Sequence, residues 1–154
     1  MQARCTALLT LGLALGAAGL RAQEPRFLNP GALSRPRGYT QVVEVPAGRR
    51  LLLLSGQVPL DSTGQLVGPG DFKAQATQVF ENLRAALAAG GATFRDVVKV
   101  TFYLRDVANL PVLRTIRDQY VNPAAPPAST LIQVGGLYRD DVMLEVEAMA
   151  VVSP

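Results

Sequence analysis

The chain has 154 residues, a length that suits one domain of ordinary size, and 49% of its residues are hydrophobic while 18% are charged. This balance excludes an intrinsically disordered or fibrous chain. The absence of histidine excludes His-based acid–base chemistry and His-ligated metals, and a single cysteine, Cys5, excludes a disulfide framework and a thiolate zinc site.

Residues 1–22 have the pattern of a secretory signal peptide. A short basic start precedes an uncharged segment rich in leucine and alanine, residues 5–20, and polar residues return at Arg21. This apolar run of about 16 residues is shorter than the ~20 that a transmembrane helix needs, so a retained membrane anchor is the weaker alternative. We expect cleavage after Ala22 and a periplasmic or secreted protein without stable membrane association.

Removal of residues 1–22 brings the net charge to about +1, because two of the 15 basic residues and none of the 12 acidic residues lie in that segment. No segment clusters Lys or Arg beyond the pair Arg49 and Arg50. The basic stripe that is typical of a nucleic-acid-binding surface is therefore not visible in the sequence, and we expect no nucleic-acid partner.

The remaining chain divides into an N-terminal arm, residues 23–38, and one domain, residues 39–154. The arm contains Pro, Arg and Gly without hydrophobic periodicity, which is typical of an irregular segment. Alternating or continuous apolar residues then predict five strands separated by turns or helices. The predicted strands cover residues 39–45, 51–58, 96–104, 128–134 and 142–152.

Two amphipathic helices are predicted between these strands. The first covers residues 71–89, with Asp71 as N-cap and apolar side chains at spacings of three and four along one face. Its polar residues, Gln75 among them, are expected on the opposite face. The second covers residues 109–121, with Asn109 as a possible N-cap. The order β-β-α-β-α-β-β favours an α+β fold, with both helices packed on one face of a mixed β-sheet.

The last predicted strand carries two acids on an otherwise apolar face. Even-numbered residues from Val142 to Val152 form one face, and the other face presents Glu145 and Glu147 between methionines. If a second subunit covers this face, at least one carboxylate is partly desolvated and suited to proton transfer. The alternative interpretation is a solvated face with two exposed acids, and the pattern alone leaves both open.

Three further positions are candidate site residues. Gly56 interrupts an apolar strand, which permits close approach of a ligand or marks a β-bulge. Arg114 lies near the core-facing stripe of the second helix, where it either lines a site or extends to solvent over apolar neighbours. Ser129 has neither a histidine nor an adjacent lysine as a sequence partner, which argues against a nucleophilic serine.

Six different short motifs follow one another along the chain over about residues 39–152, and their order is informative. They are Gly38-Tyr39-Thr40-Gln41, Leu54-Ser55-Gly56-Gln57-Val58, Gln75 through Asn82-Leu83 to Ala89-Gly90-Gly91, Asp96-Val97-Val98-Lys99-Val100-Thr101, Pro126-Pro127-Ala128-Ser129-Thr130 and Leu144-Glu145-Val146-Glu147-Ala148-Met149-Ala150. In this order the segments resemble the YjgF/RidA family of reactive-intermediate deaminases, also called endoribonuclease L-PSP proteins.

The resemblance implies a chorismate-mutase-like (YjgF) α+β subunit that assembles as a homotrimer with small-molecule clefts between subunits. Members of this family hydrolyse an enamine or imine to a carbonyl compound and ammonia, without a metal or organic cofactor. By the resemblance, Tyr39 and Gly56 match substrate-binding positions, and Glu145 matches the acid that orients or activates water. The position of the family's carboxylate-binding arginine holds Ser129, and Arg114 occupies a second pocket position.

The substitution at Ser129 predicts an altered substrate range, because a serine offers one neutral donor where an arginine fork donates two charge-assisted bonds. Either Arg114 supplies the cation from another wall of the site, or the pocket takes a neutral or differently charged ligand. The sequence thus favours a cofactor-independent imine or enamine deaminase, with a trimer that binds a small metabolite without turnover as the alternative. An endoribonuclease ranks last, because basic and aromatic residues suited to single-stranded RNA are few.

Overall fold

A computed structural model of the protein describes residues 23–154. The predicted signal peptide, residues 1–22, and Cys5 within it lie outside the described residues. In the part of the chain that is described, no helix combines the length and the apolar character needed to cross a membrane.

Within residues 23–154 the chain forms six strands, and four of them make up the main β-sheet. The strands are β1 (Arg26–Leu28), β2 (Val42–Glu44), β3 (Arg50–Gln57), β4 (Val97–Leu104), β5 (Ala128–Gln133) and β6 (Leu144–Val152). The main sheet has the order β3-β6-β4-β5, while β1 and β2 form a separate ribbon. β6 runs antiparallel to both of its neighbours and β5 runs parallel to β4, so the sheet is mixed, as predicted.

Both α-helices of the described residues pack on one face of the main sheet, which confirms the predicted α+β fold. They are α1 (Phe72–Ala89) and α2 (Leu110–Arg117). The apolar stripe predicted for α1 is buried, and it joins Leu113 and Ile116 of α2 in one hydrophobic core. Complete burial of a large apolar side chain stabilises a domain by about 1.5–3 kcal/mol. The buried apolar residues of α1 are Phe72, Ala76, Val79, Phe80, Leu83 and Leu87.

The two ends of α1 follow the predicted signals. The Asp71 carboxylate accepts a hydrogen bond from Ala74 N at 3.1 Å, and so satisfies one of the backbone donors that a first helical turn leaves free. Gly90 is the C-cap, and Gly91 has a φ of 73°, a conformation that glycine adopts without steric cost. The chain therefore turns sharply after the helix and returns to the sheet in β4.

The prediction that Gln75 faces away from the core is wrong, because its side chain is fully buried (0% exposed). Nε2 donates to Gly68 O at 3.2 Å and to Asp141 O at 2.8 Å, while Oε1 accepts from Met143 N at 2.9 Å. A buried amide is tolerated when its polar atoms find partners in this way. Gln75 therefore ties α1 to the segment that leads into β6.

The second helix begins as predicted but is shorter than predicted. Asn109 occupies the N-cap position of α2, although its side chain makes no capping bond, and Asp106 accepts from Ala108 N at 2.8 Å to begin a 3₁₀ turn before the helix. α2 ends at Arg117 and not near residue 121, because the backbone that follows forms turns. The helix that carries Arg114 is therefore short, and the turns on both sides fix its position.

The arm, residues 23–38, has more regular structure than its composition predicts. Residues 26–28 form β1 and pair antiparallel with β2, and Arg26 forms an ion pair with Glu44 at 2.7 Å. The predicted strand 39–45 is reduced to β2 and lies outside the main sheet. A strand of three residues carries too little periodicity to be recognised from the sequence.

Candidate functional site

A cavity of about 380 Å³ lies between α2 and the edge strand β5, and the end of the arm forms its third wall. Cavities of this size accommodate small metabolites. Tyr39, Arg114 and Ser129, three of the residues predicted from the sequence, line it together. The other lining residues are the apolar Phe102, Leu110, Leu113 and Leu131 and the arginines Arg35, Arg37 and Arg117.

Strand register explains why Ser129 reaches this cavity. Ser129 lies opposite Val100 in the parallel pair of β4 and β5, and Val100 is buried in the core beneath the helices. Because directly paired residues share a face of the sheet, Ser129 also points to the helix side, where α2 carries Arg114. A hydroxyl and a guanidinium therefore face the same space from two walls.

Tyr39 is held in place by the residue that follows it. Thr40 N donates to Pro127 O at 3.1 Å, and Thr40 Oγ1 donates to Pro126 O at 2.6 Å. Thr40 is only 2% exposed, so these bonds are shielded from water. They fasten the end of the arm to the loop before β5, and the walls that carry Tyr39 and Ser129 are fixed relative to each other.

Arginine side chains give the cavity a positive charge. Arg117 Nε and Nη2 both donate to Asp118 Oδ1, at 2.9 and 2.7 Å, so this cation is neutralised locally. Arg117 also packs against Gly38, whose φ of 75° and missing Cβ let the guanidinium approach the backbone. The other lining arginines form no ion pair within residues 23–154; they are Arg35, Arg37 and Arg114.

Glu145 and Gly56 form a second group on the opposite face of the sheet. Glu145 lies opposite Tyr103 in the pair of β4 and β6, on the side away from the helices. Its side chain lies over the backbone of Gly56, so closely that a Cβ at Gly56 would overlap the carboxylate. A shift in register between Leu54 and Gln57 marks the β-bulge that one interpretation of Gly56 predicted.

Tyr103, which no sequence motif indicated as a site residue, also lies in this group. Its hydroxyl donates to Glu147 Oε1 at 3.1 Å, and desolvation, followed by this hydrogen bond and the charges of Glu147 and Glu145, raises the pKa of Tyr103. The phenol therefore stays protonated and acts as a donor beside the two acids. Alternation places Tyr103 on one face of β4, but only the register with β6 shows that this face also carries the acids.

The predicted site residues thus form two groups within one chain. Tyr39, Arg114 and Ser129 line the cavity on the helix face, whereas Gly56 and Glu145 lie on the outer face, which we define as the face of the main sheet away from the helices. No group of three or more acidic or cysteine side chains comes together as a metal site within residues 23–154.

The outer face also presents apolar side chains to solvent. Their exposure ranges from 42% to 70%, and strand pairing places them on the same side as Glu145. Large exposed apolar patches with a polar rim typically mark a protein–protein contact. The exposed apolar residues of the outer face are Leu51, Leu53, Ile132 and Met149.

The chain is similar to known proteins over most of its length. A family model described as Endoribonuclease L-PSP matches residues 31–152. The chain is 38% identical over 129 residues to protein DfrA of Myxococcus xanthus, an alignment that covers 84% of this chain and 90% of the relative. It is 39% identical over 117 residues to a Mus musculus protein named 2-iminobutanoate/2-iminopropanoate deaminase, with 75% and 82% of the two chains covered.

A solved structure shares the fold as well. The crystal structure of YyfB from Yersinia pestis, described as a protein of unknown function of the conserved Rid family, matches with a TM-score of 0.73 at 31% identity. This match covers 84% of the present chain and 100% of the Yersinia chain. With a family model that spans most of the sequence and relatives above 30% identity, the chain belongs to the endoribonuclease L-PSP family, also called the YjgF/RidA family.

Proposed function

We propose that the protein is a cofactor-independent deaminase that hydrolyses a reactive imine or enamine to a carbonyl compound and ammonia. The observation that carries the proposal is the cavity lined by Tyr39, Arg114 and Ser129, together with a carboxylate, Glu145, that lies over Gly56 on the outer face. Relatives named 2-iminobutanoate/2-iminopropanoate deaminase and 3-aminoacrylate deaminase support the same reaction class.

In this proposal the two groups of site residues meet between subunits. Because Glu145 and the cavity lie on opposite faces of one sheet, Glu145 of a second copy is needed to complete the cavity of the first. The exposed apolar outer face supplies a surface for assembly, and a cyclic homotrimer forms equivalent clefts between neighbouring subunits. Each cleft then combines Tyr39, Arg114 and Ser129 of one subunit with Gly56 and Glu145 of the next.

Arg114 binds the substrate carboxylate in the proposed cleft. A guanidinium donates two charge-assisted hydrogen bonds to a carboxylate, whereas the Ser129 hydroxyl donates one neutral bond. The cation therefore comes from α2 and not from β5, and the substrate lies in a shifted position. This shift is the physical reason for an altered substrate range.

Glu145 orients a water molecule and accepts one of its protons while the water oxygen attacks the imine carbon. Glu145 then returns this proton to the nitrogen, which gives a carbinolamine. The carbinolamine hydroxyl next passes its own proton through Glu145 to the nitrogen, the C–N bond breaks, and ammonia and a carbonyl compound leave. One water is consumed, and no oxidant or metal is needed for the balance. Backbone N–H groups near Gly56 and Ser129 stabilise the charge that develops during the addition.

A mixing experiment tests both the reaction and the shared cleft. Glu145→Gln and Arg114→Ala should each reduce turnover of 2-iminopropanoate, generated in situ, by about 100-fold or more. Reassembled together in equal amounts, the two variants should recover about a quarter of the wild-type activity, since that share of the clefts combines two intact groups. A mixture as inactive as its components contradicts the shared cleft, and a wild-type rate equal to that of buffer contradicts the reaction.

A second candidate function is binding of a small metabolite without turnover. Ser129 favours it, because by the resemblance this position in the family holds the arginine that binds the substrate carboxylate. Loss of such a pairing with a buried carboxylate costs about 2–5 kcal/mol of binding free energy. Ser129→Arg separates the two candidates. A deaminase that uses Arg114 is active before the substitution, whereas a binding protein is inactive before it and gains activity from it.

We also propose that the protein is exported to the periplasm or the medium, on the pattern of residues 1–22. Mass spectrometry of the protein recovered after secretion should show a chain that begins at or near Gln23. Recovery of the full-length chain from the cytoplasm alone would contradict this proposal.

A further inference from the structure

Three arginines without ion pairs meet at the cavity. Arg35 and Arg37 lie on the arm and Arg114 lies on α2, and within the described residues none of them has a salt-bridge or side-chain hydrogen-bond partner. The lining contains no acidic side chain, and the fourth arginine, Arg117, is already paired with Asp118. Three uncompensated cations therefore border one space of about 380 Å³.

These cations lie on two different walls, and apolar side chains of α2, β4 and β5 line the same cavity. Arg35 and Arg37 approach from the arm, and Arg114 approaches from the helix. A second depression of about 470 Å³ is also lined by Arg37, Arg114 and Arg117, together with Asp118, the ion-pair partner of Arg117. This arrangement complements an elongated molecule with an apolar middle and an anionic group at each end.

We propose that the cavity binds a small molecule with two anionic groups, one held by Arg114 and the other by Arg35 and Arg37. The inference rests on the proposed function and names its substrate class: the imine of a 2-oxo acid that carries a second carboxylate or a phosphate. A single carboxylate held by Arg114 would leave Arg35 and Arg37 without a counter-charge in the lining of the same cavity, and like charges repel each other. A second anionic group neutralises them and accepts charge-assisted hydrogen bonds.

Isothermal titration calorimetry with stable 2-oxo acids tests the second anionic group. 2-Oxoglutarate and 2-oxopentanoate have the same chain length and differ by one carboxylate, while 3-phosphonooxy-2-oxopropanoate carries a phosphate instead. We expect at least one dianionic compound to bind about tenfold more tightly than 2-oxopentanoate, the effect of roughly one hydrogen bond to an ionised group. The dianionic compound that binds more tightly identifies the second group as carboxylate or phosphate.

Substitutions in the arm test whether Arg35 and Arg37 cause the preference for a second anionic group. The double variant Arg35→Ala/Arg37→Ala should lose the preference and bind 2-oxopentanoate as the wild type does, whereas Arg35→Lys/Arg37→Lys should keep part of the preference with the charge. Arg95→Ala is the matched control, because Arg95 is an exposed arginine that lines a different depression. It should retain the full preference of the wild type. Circular dichroism verifies that all three variants are folded.

Equal affinity of the wild type for all three compounds overturns the proposal, as does a preference that survives removal of both arm arginines. Tighter binding of a single-stranded RNA oligonucleotide than of any of the three compounds also overturns it. Turnover of 2-iminopropanoate and of the imine of 2-oxoglutarate, each generated in situ, tests the proposed function separately. A binding preference with no turnover of either imine supports this inference and contradicts the deaminase, whereas turnover without a binding preference contradicts this inference alone.

Discussion

At the scale of single residues, Gly56 determines where a carboxylate lies. The bulge between β3 and β6 brings the Gly56 backbone beneath Glu145, and a Cβ at Gly56 would lie 2.8 Å from Glu145 Cδ. A flexible glutamate can move aside at little cost to the fold, but its carboxylate then leaves the position from which it would orient water. The close contact therefore matters more to the site than to stability.

We predict that Gly56→Ala lowers deaminase activity by about 10- to 100-fold and changes the free energy of unfolding by less than about 1 kcal/mol. Gly135→Ala is the control, because a Cβ at Gly135 would meet no atom within 4 Å. Steady-state kinetics and urea denaturation measure the two effects. Equal activity in both variants would show that the position of the Glu145 carboxylate does not matter.

Tyr120 makes the free energy of unfolding decrease at alkaline pH. Burial and a hydrogen bond to Glu81 Oε1, at 2.7 Å, raise the pKa of Tyr120 from 10.0 to about 12. As the pH rises above 10.0, the unfolded state loses this proton first, because the folded state still holds it. The contribution of Tyr120 to stability is therefore complete below pH ~10 and is lost as the pH approaches ~12.

Between about pH 9 and pH 11.5, the wild type should lose about 1–2 kcal/mol more of its free energy of unfolding than Tyr120→Phe does. Urea denaturation at a series of pH values measures the two slopes. Identical slopes for the wild type and Tyr120→Phe would exclude the coupling.

At the scale of secondary-structure elements, one amide joins α1 to β6. Gln75 is fully buried and bonds to Gly68, Asp141 and Met143, so its removal leaves buried backbone groups without partners. We predict that Gln75→Ala lowers the free energy of unfolding by about 2–4 kcal/mol. Gln119→Ala, at an exposed position after α2, should change it by less than about 0.5 kcal/mol in the same urea titration. Similar losses in both variants would contradict this role.

Local patterns predicted the elements whose determinants lie close together in the sequence. The stripe and the N-cap of α1 depend on neighbours within a few residues, and both are confirmed. The role of Gln75 depends on Asp141 and Met143, 66 and 68 residues away, and β1 depends on its pairing with β2. Such long-range partners follow from the packed fold, which hydrophobic periodicity does not describe.

The same distinction applies to the candidate site. The family resemblance pointed to Tyr39, Arg114 and Ser129, and these three residues line one cavity. Their separation from Gly56 and Glu145 became visible only when strand register assigned each residue to a face of the sheet. Arg35 and Arg37 were not predicted, because no pattern within the arm shows that this segment reaches the cavity. The hydrogen bonds of Thr40 to the loop before β5 bring it there.

At the scale of the whole molecule, the outer face is the proposed contact between subunits. Leu53 is 70% exposed there, so a charged residue in its place costs little in one chain but opposes burial against a second chain. Light scattering should give the wild type a mass about three times that of one chain, and Leu53→Lys a smaller mass together with reduced activity.

Val107→Lys is the control for this prediction, because Val107 is 47% exposed and lies in the turn before α2. It should assemble like the wild type. A wild-type monomer with full deaminase activity would contradict the cleft shared between subunits, since one chain holds Glu145 and the cavity on opposite faces of its sheet.

The attachment of the arm through Thr40 has a consequence for how ligand selectivity diverges. The arm carries one wall of the cavity but lies outside the main sheet and the hydrophobic core. Insertions, deletions or charge changes between residues 30 and 38 can therefore remodel recognition while the sheet, the helices and the Glu145 carboxylate stay as they are. If the arm arginines bind the ligand as proposed, selectivity is modular: the arm determines which ligand binds, and the sheet and helices provide a separate scaffold.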